Sequence, residues 1–355
     1  MVVLCAWFQA GLYLDGWAHL HVPTLETFFS SWHVVLYSGF VALSALTVGR
    51  PIRDRAKGVD WSRTVPAGYG LSLLGVAVFC AAGVGDMLWH ALFGIETDVE
   101  ALLSPTHLAL ALGGALICAG PMRSAWRRSE FSTQSWVARL PMVLSLTFVL
   151  SSLAFFTQYA HPIARPWAAL GNRPTVASFP VKAADPAFNS EGLSTVQMNH
   201  AMGIASLLLQ TGLLMGIVLL AIGRWGWYLP LGSLTILFTV NASLMGLMRD
   251  QEVLIPGAAL AGLAADFLLR RLKPSRTRPG ALRLFAFAVP LTYYLFQFFS
   301  LKVTKGIWWS IHMWTGAIVL AGVAGWLLSY LVVAPGTTDE DRVEHGIVGD
   351  IERLS

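Results

Sequence analysis

The sequence predicts an all-α protein, a polytopic transmembrane helix bundle of about ten spans with a duplicated N-terminal helix hairpin. Three observations predict the bundle. Of its 355 residues, 55% are hydrophobic and only 12% are charged, against about 25% charged in a soluble domain. The apolar residues fall in repeated runs of about 20, the length a helix needs to cross roughly 30 Å of hydrocarbon. Basic residues collect in alternate connections, the pattern of cytoplasmic loops. A closed β-barrel, the other lipid-spanning architecture, needs alternating segments of about ten residues, whereas Leu140 to Phe156 is apolar on every side.

In chain order, spans are expected near residues 1 to 20, 27 to 49, 66 to 90, 104 to 121, 139 to 160, 197 to 222, 227 to 248, 253 to 269, 281 to 301 and 308 to 333. The first run, Met1 to Leu14, has no basic leader and no small-residue cleavage site, so it reads as a retained span rather than a removable signal. Cys5, Cys80 and Cys118 all lie in apolar runs and read as small core residues, not as a disulfide framework or a thiolate cluster. Trp17, Trp32, Trp89, Trp308 and Trp309 fall at outer span ends, where an aromatic belt is expected.

Orientation follows from charge. With the N-terminus inside, the cytoplasmic connections hold Arg50, Arg53, Arg55, Lys57 and Arg63, then Arg123, Arg127, Arg128 and Arg139, then Arg224. The next inner connection adds Arg270, Arg271, Lys273, Arg276, Arg278 and Arg283, and the tail adds Arg342 and Arg353. Only Arg165, Arg173, Lys182, Arg249, Lys302 and Lys305 are left outside. This asymmetry predicts a multi-pass cell-membrane protein with both termini cytoplasmic. The net charge of +4 is then a matter of orientation, and no nucleic-acid partner is called for. The expected partners are the lipid bilayer and other membrane subunits. Residues 1–334 are expected to form the bundle, with repeat hairpins at about 1–49 and 66–121, and residues 335–355 a polar cytoplasmic tail. One long outer loop, about 162–196, has the length of a functional or disordered segment.

The internal repeat carries the chemistry. The first outward hairpin reads Asp15-Gly-Trp-Ala-His19, then Glu26-Thr-Phe-Phe-Ser-Ser-Trp-His33. The second reads Asp86-Met-Leu-Trp-His90, then Glu100-Ala-Leu-Leu-Ser-Pro-Thr-His107. Both have Asp-x3-His leaving the membrane and Glu-x6-His re-entering it. Residues at i and i+4 share a helical face, so each Asp and His can serve one target, and the histidine of the next helix joins them at a similar depth. Imidazole suits Fe, Cu and Zn, while an added carboxylate shifts the choice toward Fe, Mn or Zn, without fixing the metal. Asp15, His19, His33, Asp86, His90 and His107 are therefore candidate ligands of a transition-metal ion. Glu26 and Glu100 are candidate catalytic bases, or first-turn carboxylates that complement a helix dipole.

A fainter third copy runs through Thr157-x3-His161 and Glu191 to His200 at the head of the sixth span, and His312 stands at the equivalent place in the last hairpin. His200 and His312 join the candidate ligands. All histidines but His345 belong to the outer end of the bundle. The blander account is a hydrogen-bonded network that locks the outer helix ends. Asp266 lies beside Arg270 near the inner end of the eighth span, where an ion pair is expected. Asn241 and Gln210 read as interhelical hydrogen-bonding groups.

The Asp-x3-His-x13-His run of Asp15, His19 and His33 resembles the copper-binding helix motif of the particulate methane and ammonia monooxygenase C subunit. That resemblance implies copper held in the membrane by an Asp and two His, at Asp15, His19 and His33 and, through the repeat, at Asp86, His90 and His107. The function expected from all of this is a metal-dependent membrane enzyme, an oxidase or hydroxylase, or a hydrolase, acting on a lipophilic or periplasmic substrate. In a hydrolase the ion would lower the pKa of a bound water; in an oxidase open coordination positions would take O₂. A metal-ion or proton transporter is a second possibility, although the inner halves of the spans offer few polar groups. Haem held by paired histidines is a third, with the aspartates then orienting the rings.

Overall fold

The computed structural model describes residues 1–22, 30–94, 96, 98–128, 135–174 and 195–334. Among them the regular structure is helical: α1 (Val2–His21), α2 (Ser31–Ala56), α3 (Trp61–Thr64), α4 (Gly70–Phe93), α5 (Asp98–Leu103), α6 (Pro105–Cys118), α7 (Gly120–Trp126), α8 (Trp136–Phe156), α9 (Thr195–Trp225), α10 (Ser233–Met248), α11 (Ile255–Leu272), α12 (Pro279–Thr304) and α13 (Ile311–Leu328). A helix stands in each of the apolar segments expected to span, but they are not equal in length or polarity. Seven are long and apolar enough to cross a membrane, and eight if α6 and α7, bent by 45° at their junction, count as one. Helix α10, with 16 residues, is short for that thickness. Helix α1 is long enough but is made less apolar by Gln9, Asp15 and His19. These features are those of a multi-pass membrane protein.

Serine caps start several of the helices. The hydroxyls of Ser30, Ser104, Ser135 and Ser310 accept from the backbone N–H three residues on, opening α2, α6, α8 and α13. Such a cap satisfies an N–H that the first helical turn leaves without a partner. Pro105 follows at the first turn of α6, where its missing N–H costs nothing.

Packing divides the chain in two. Helices α1 and α2 pair, as do α4 and α6, and α2 also packs on α4. Cys5, Phe8, Leu36, Phe40, Leu43, Val76, Phe79, Ile117 and Cys118 from these four helices, with Phe148, bury one apolar cluster. Each pair closes around a glycine. A Cβ on Gly39 would come within 2.9 Å of the Phe8 backbone, and one on Gly113 within 2.8 Å of the Phe79 backbone, so only glycine lets the backbones approach this closely. A larger cluster gathers α8 to α13, with Tyr13 of α1 among its members.

The outer connection docks onto the α12–α13 turn, where Leu170 N–H donates to the Gly306 carbonyl and Trp308 N–H to that of Ala168. Its later part, Glu191 and Lys182 included, lies outside the described residues, as do Glu26 and the tail 335–355. The expected ion pair at the inner face is not formed. Asp266, 2% exposed, accepts instead from the N–H groups of Leu234 and Thr235 and from the Thr235 hydroxyl, at 3.2, 2.9 and 2.6 Å. It thus caps the start of α10, while Arg270 donates to the carbonyls of Trp227 and Leu229. The carboxylate takes the orphan N–H donors of a helix that lacks a serine cap of its own.

Candidate metal centre

Each N-terminal pair assembles one triad at its outer end. Asp15 and His19 lie in the last turns of α1, and His33 is the third residue of α2. Asp86 and His90 lie in the last turns of α4, and His107 is the third residue of α6. In each set, one atom from every residue falls within 4.8 Å of the others, a grouping able to hold a metal ion.

Distances separate ligation from hydrogen bonding. Asp15 Oδ2 is 3.8 Å from His19 Nε2 and 3.5 Å from His33 Nε2. Asp86 Oδ2 is 3.4 Å from His90 Nε2, and Asp86 Oδ1 is 3.6 Å from His107 Nε2. An N–H···O bond is about 2.7 to 3.2 Å long. Two atoms bound to one ion at about 2.0 to 2.2 Å, with tetrahedral angles between them, stand roughly 3.3 to 3.6 Å apart. Three of the four separations fall in the second range, and that of Asp15 and His19 is slightly wider. Both carboxylates are buried, at 8% and 4% exposure for Asp15 and Asp86, and Asp15 Oδ1 has no hydrogen-bond partner among the described residues. A carboxylate in that position is met by a cation or neutralised by a proton.

The ring nitrogens that face away from the triads are held. Ser30 Oγ is 2.9 Å from His33 Nδ1, and Ser104 Oγ is 2.7 Å from His107 Nδ1. One hydroxyl therefore caps the helix and orients the imidazole so that Nε2 points at the carboxylate. On His90, Nδ1 lies 3.1 Å from Glu96 Oε2 and 3.3 Å from the Gly94 carbonyl. Thr106 Oγ1 donates to Asp86 Oδ1 at 2.8 Å. Supports of this kind fix ring orientation and raise ligand basicity.

Against known proteins, the chain matches no family model, no curated protein and no solved structure.

Six of the eight candidate ligands are brought together in the two triads; His200 and His312 join neither. His200 stacks on Trp308, ring centroids 5.0 Å apart, and meets Trp309 edge-on. His312 is exposed in the first turn of α13. Glu100 is exposed on α5, and the carboxylate that reaches His90 is Glu96 instead. Ser30, Ser104, Glu96 and Thr106 are the partners that a search for ligands passes over. The signal for the serines was present, since Ser stands three residues before the re-entering His in both copies.

Two further histidines lie close to the outer face without joining a triad. His161, in the third, fainter copy, is 3% exposed and accepts from Ile163 N–H at Nδ1. Burial, with Arg249 adding to it, pushes its pKa down to about 3. His21 closes α1 with Nδ1 2.8 Å from the Trp17 carbonyl and Nε2 2.7 Å from Asp250 Oδ2. Both partners are hydrogen-bond acceptors, an arrangement that favours the doubly protonated ring. The Asp250 hydrogen bond raises its pKa above the ordinary value, helped by the Trp17 carbonyl.

Proposed function

We propose that this chain is a ten-span membrane protein in which each outer triad holds one transition-metal ion, and that the ions serve a metal-dependent enzyme, an oxidase or hydroxylase or else a hydrolase, acting on a lipophilic or periplasmic substrate. The observation that carries the proposal is the carboxylate-to-imidazole spacing of 3.4 to 3.8 Å in both triads, too long for hydrogen bonds and suited to shared ligation. Two His and one carboxylate leave coordination positions open for water or substrate, a ligand set most at home with iron, with copper and zinc as alternatives. The resemblance of Asp15, His19 and His33 to the monooxygenase C subunit motif supports redox chemistry over hydrolysis. Glu96, whose carboxylate lies 3.1 Å from the far nitrogen of His90, takes the orienting role, so a general base in a hydrolase would have to come from Glu26 or Glu100.

Several observations favour a simple ion at a one-sided site. The carboxylate oxygens stand within 3.8 Å of both imidazoles in each triad, which leaves no slot for a porphyrin plane between paired rings. Asp266, an acidic group of the inner half, is used as a helix cap. In this proposal α1 and α10 also cross the bilayer, the hairpins descend from one duplicated ancestor, and both termini are cytoplasmic. Metal analysis and an absorption spectrum of the purified protein test the site. About two equivalents of Fe, Cu or Zn without a Soret band is the expected result; a Soret band, or no metal after growth in each metal, would overturn it. Reporters fused after Arg128 or Arg276 should be cytoplasmic, and those near Asp98 or Lys182 extracytoplasmic; the opposite pattern would move the triads to the inner face.

A further inference from the structure

The face of the bundle away from the triads carries a basic patch without an acidic counterpart. His21, at the triad end of α1, reaches Asp250 just before α11, so Leu272 at the far end of α11 lies on the opposite face. From that end into α12 the chain holds Arg270, Arg271, Lys273, Arg276, Arg278 and Arg283, six basic residues in 14 positions with no Asp or Glu among them. None of the six has a carboxylate within ion-pair distance among the described residues. Pro274, just past α11, and Pro279, at the start of α12, keep the connection from continuing either helix. Lys273, Arg276 and Arg278 are left exposed on it.

Two of the guanidiniums stand around the end of the last span. Arg283, half-buried in α12, lies over the Tyr330 ring, its guanidinium carbon 4.3 Å from the centroid. A Cβ on Gly223 of α9 would meet Val332 Cγ1 at 3.4 Å and the Arg276 guanidinium nitrogens at 3.5 and 3.6 Å. Arg276 therefore lies beside the same stretch, two residues past Tyr330. Arg270, by contrast, is engaged by the carbonyls of Trp227 and Leu229. A guanidinium stacked on an aromatic face keeps its N–H edge for an anion, and its fork matches a phosphate.

The neighbouring surface says what kind of phosphate. Trp326 meets Tyr330 edge-on, with ring centroids 5.1 Å apart, and Trp326, Leu327 and Leu331 are 38%, 56% and 83% exposed. A soluble phosphate ester leaves that apolar surface bare, whereas acyl chains cover it. We propose that Arg276 and Arg283 bind the phosphate of one anionic phospholipid, with its acyl chains against Trp326, Leu327 and Leu331. Basic clusters at a membrane surface attract anionic lipid without a defined site; here Tyr330 and the packing against α9 hold two guanidiniums in place, and Arg271, Lys273 and Arg278 supply the surrounding positive field. The proposal is independent of the metal centre.

The test uses the full-length protein in mild detergent, with bound lipid counted by native mass spectrometry. Dioleoylphosphatidylglycerol is the probe, and dioleoylphosphatidylcholine, whose choline cancels the phosphate charge, is the reference. One phosphatidylglycerol should stay bound at concentrations where phosphatidylcholine does not. Arg276→Gln and Arg283→Gln should each weaken its retention about tenfold, the effect of losing one charge-assisted hydrogen bond. Arg271→Gln, which removes the same charge from the same patch, should leave it nearly unchanged. Equal retention of the two lipids, unchanged retention in both site variants, or equal losses in all three variants, the mark of diffuse attraction, would overturn the proposal. So would displacement of the lipid by millimolar glycerol 1-phosphate, which would give the site to a soluble ester. Lipid binding seen only after Asp339→Asn, Glu340→Gln and Asp341→Asn together would give it to the tail instead. Arg276 is exposed, so its variant decides even if Arg283→Gln fails to fold.

Discussion

The two triads share their ligand types and spacing, yet their surroundings differ. In the second, Thr106 bonds Asp86, Glu96 lies against the far nitrogen of His90, and the His90 side chain is 17% exposed. In the first, Asp15 Oδ1 has no partner among the described residues and the His19 side chain is 45% exposed. The difference teaches that a repeated ligand motif does not make two equal sites, because affinity depends on how firmly each ligand is held before the ion arrives. The second site is the better prepared and should fill first.

The largest expected effect tests whether the triads are separate at all. His33→Ala and His107→Ala should each remove about one metal equivalent, and the double variant both, because no ligand is shared. Metal content of the three purified variants measures this. A double variant that loses no more than the worse single would mean one joint cluster and would end the comparison.

A smaller effect sharpens it. Glu96→Gln and Thr106→Val should weaken the second site about tenfold, the low end for loss of a group that orients a ligand, and leave the first unchanged. Calorimetric titration of the unmodified protein should resolve a tighter and a weaker step, and these substitutions should bring the two together. If the weaker step moves instead, the assignment of the steps to the hairpins is reversed.

Smaller again is the contribution of the caps. Ser30→Ala and Ser104→Ala should each cost about 1 kcal/mol of stability through the lost helix cap, read as a lower thermal midpoint. Each should also weaken its own site, because the ring loses the hydroxyl that holds Nδ1. A drop in stability with unchanged metal affinity would reduce these serines to helix starts.

The pH dependence concerns the two outer histidines beyond the triads. His161 folds as a neutral ring with a pKa near 3. Below the ordinary value of about 6.5 the unfolded chain takes up a proton that the folded chain refuses, so stability should fall as pH drops from 6.5 toward 3. His161→Gln should flatten that limb. His21 has the opposite sign. Its pKa is raised by Asp250, so the contact contributes fully below pH 6.5 and is lost as pH rises through the raised value. The pair is exposed, with side-chain exposures of 29% and 64%, and the change should be slight. Asp250→Asn should abolish it.

Much of the protein was legible from local sequence. Apolar run lengths located the helices, because hydrocarbon thickness imposes a minimum length on any segment that crosses it. Helical period alone put Asp15 with His19 and Asp86 with His90, because residues four apart share a face whatever the tertiary structure. The repeat added His33 and His107 to the right pairs. It did not say whether the two hairpins make one cluster or two triads, because that depends on how α2 packs on α4. Nor did it distinguish His200, which stacks on Trp308 across the chain, from a ligand.

What tertiary structure alone decided was the partner of each polar group. Asp266 sits one helical turn from Arg270, yet its carboxylate goes to the start of α10, because two N–H donors and a hydroxyl on a neighbouring helix bond it there, while Arg270 is taken up by the carbonyls of Trp227 and Leu229. Glu96 rather than Glu100 lies against His90, two residues past Gly94, whose φ of 85° favours glycine. Residue type and spacing thus determined which groups are capable of the chemistry. Packing of distant segments decided which of them meet, because a hydrogen bond or a ligand contact is made over about 3 Å and local sequence does not control separations that small between helices.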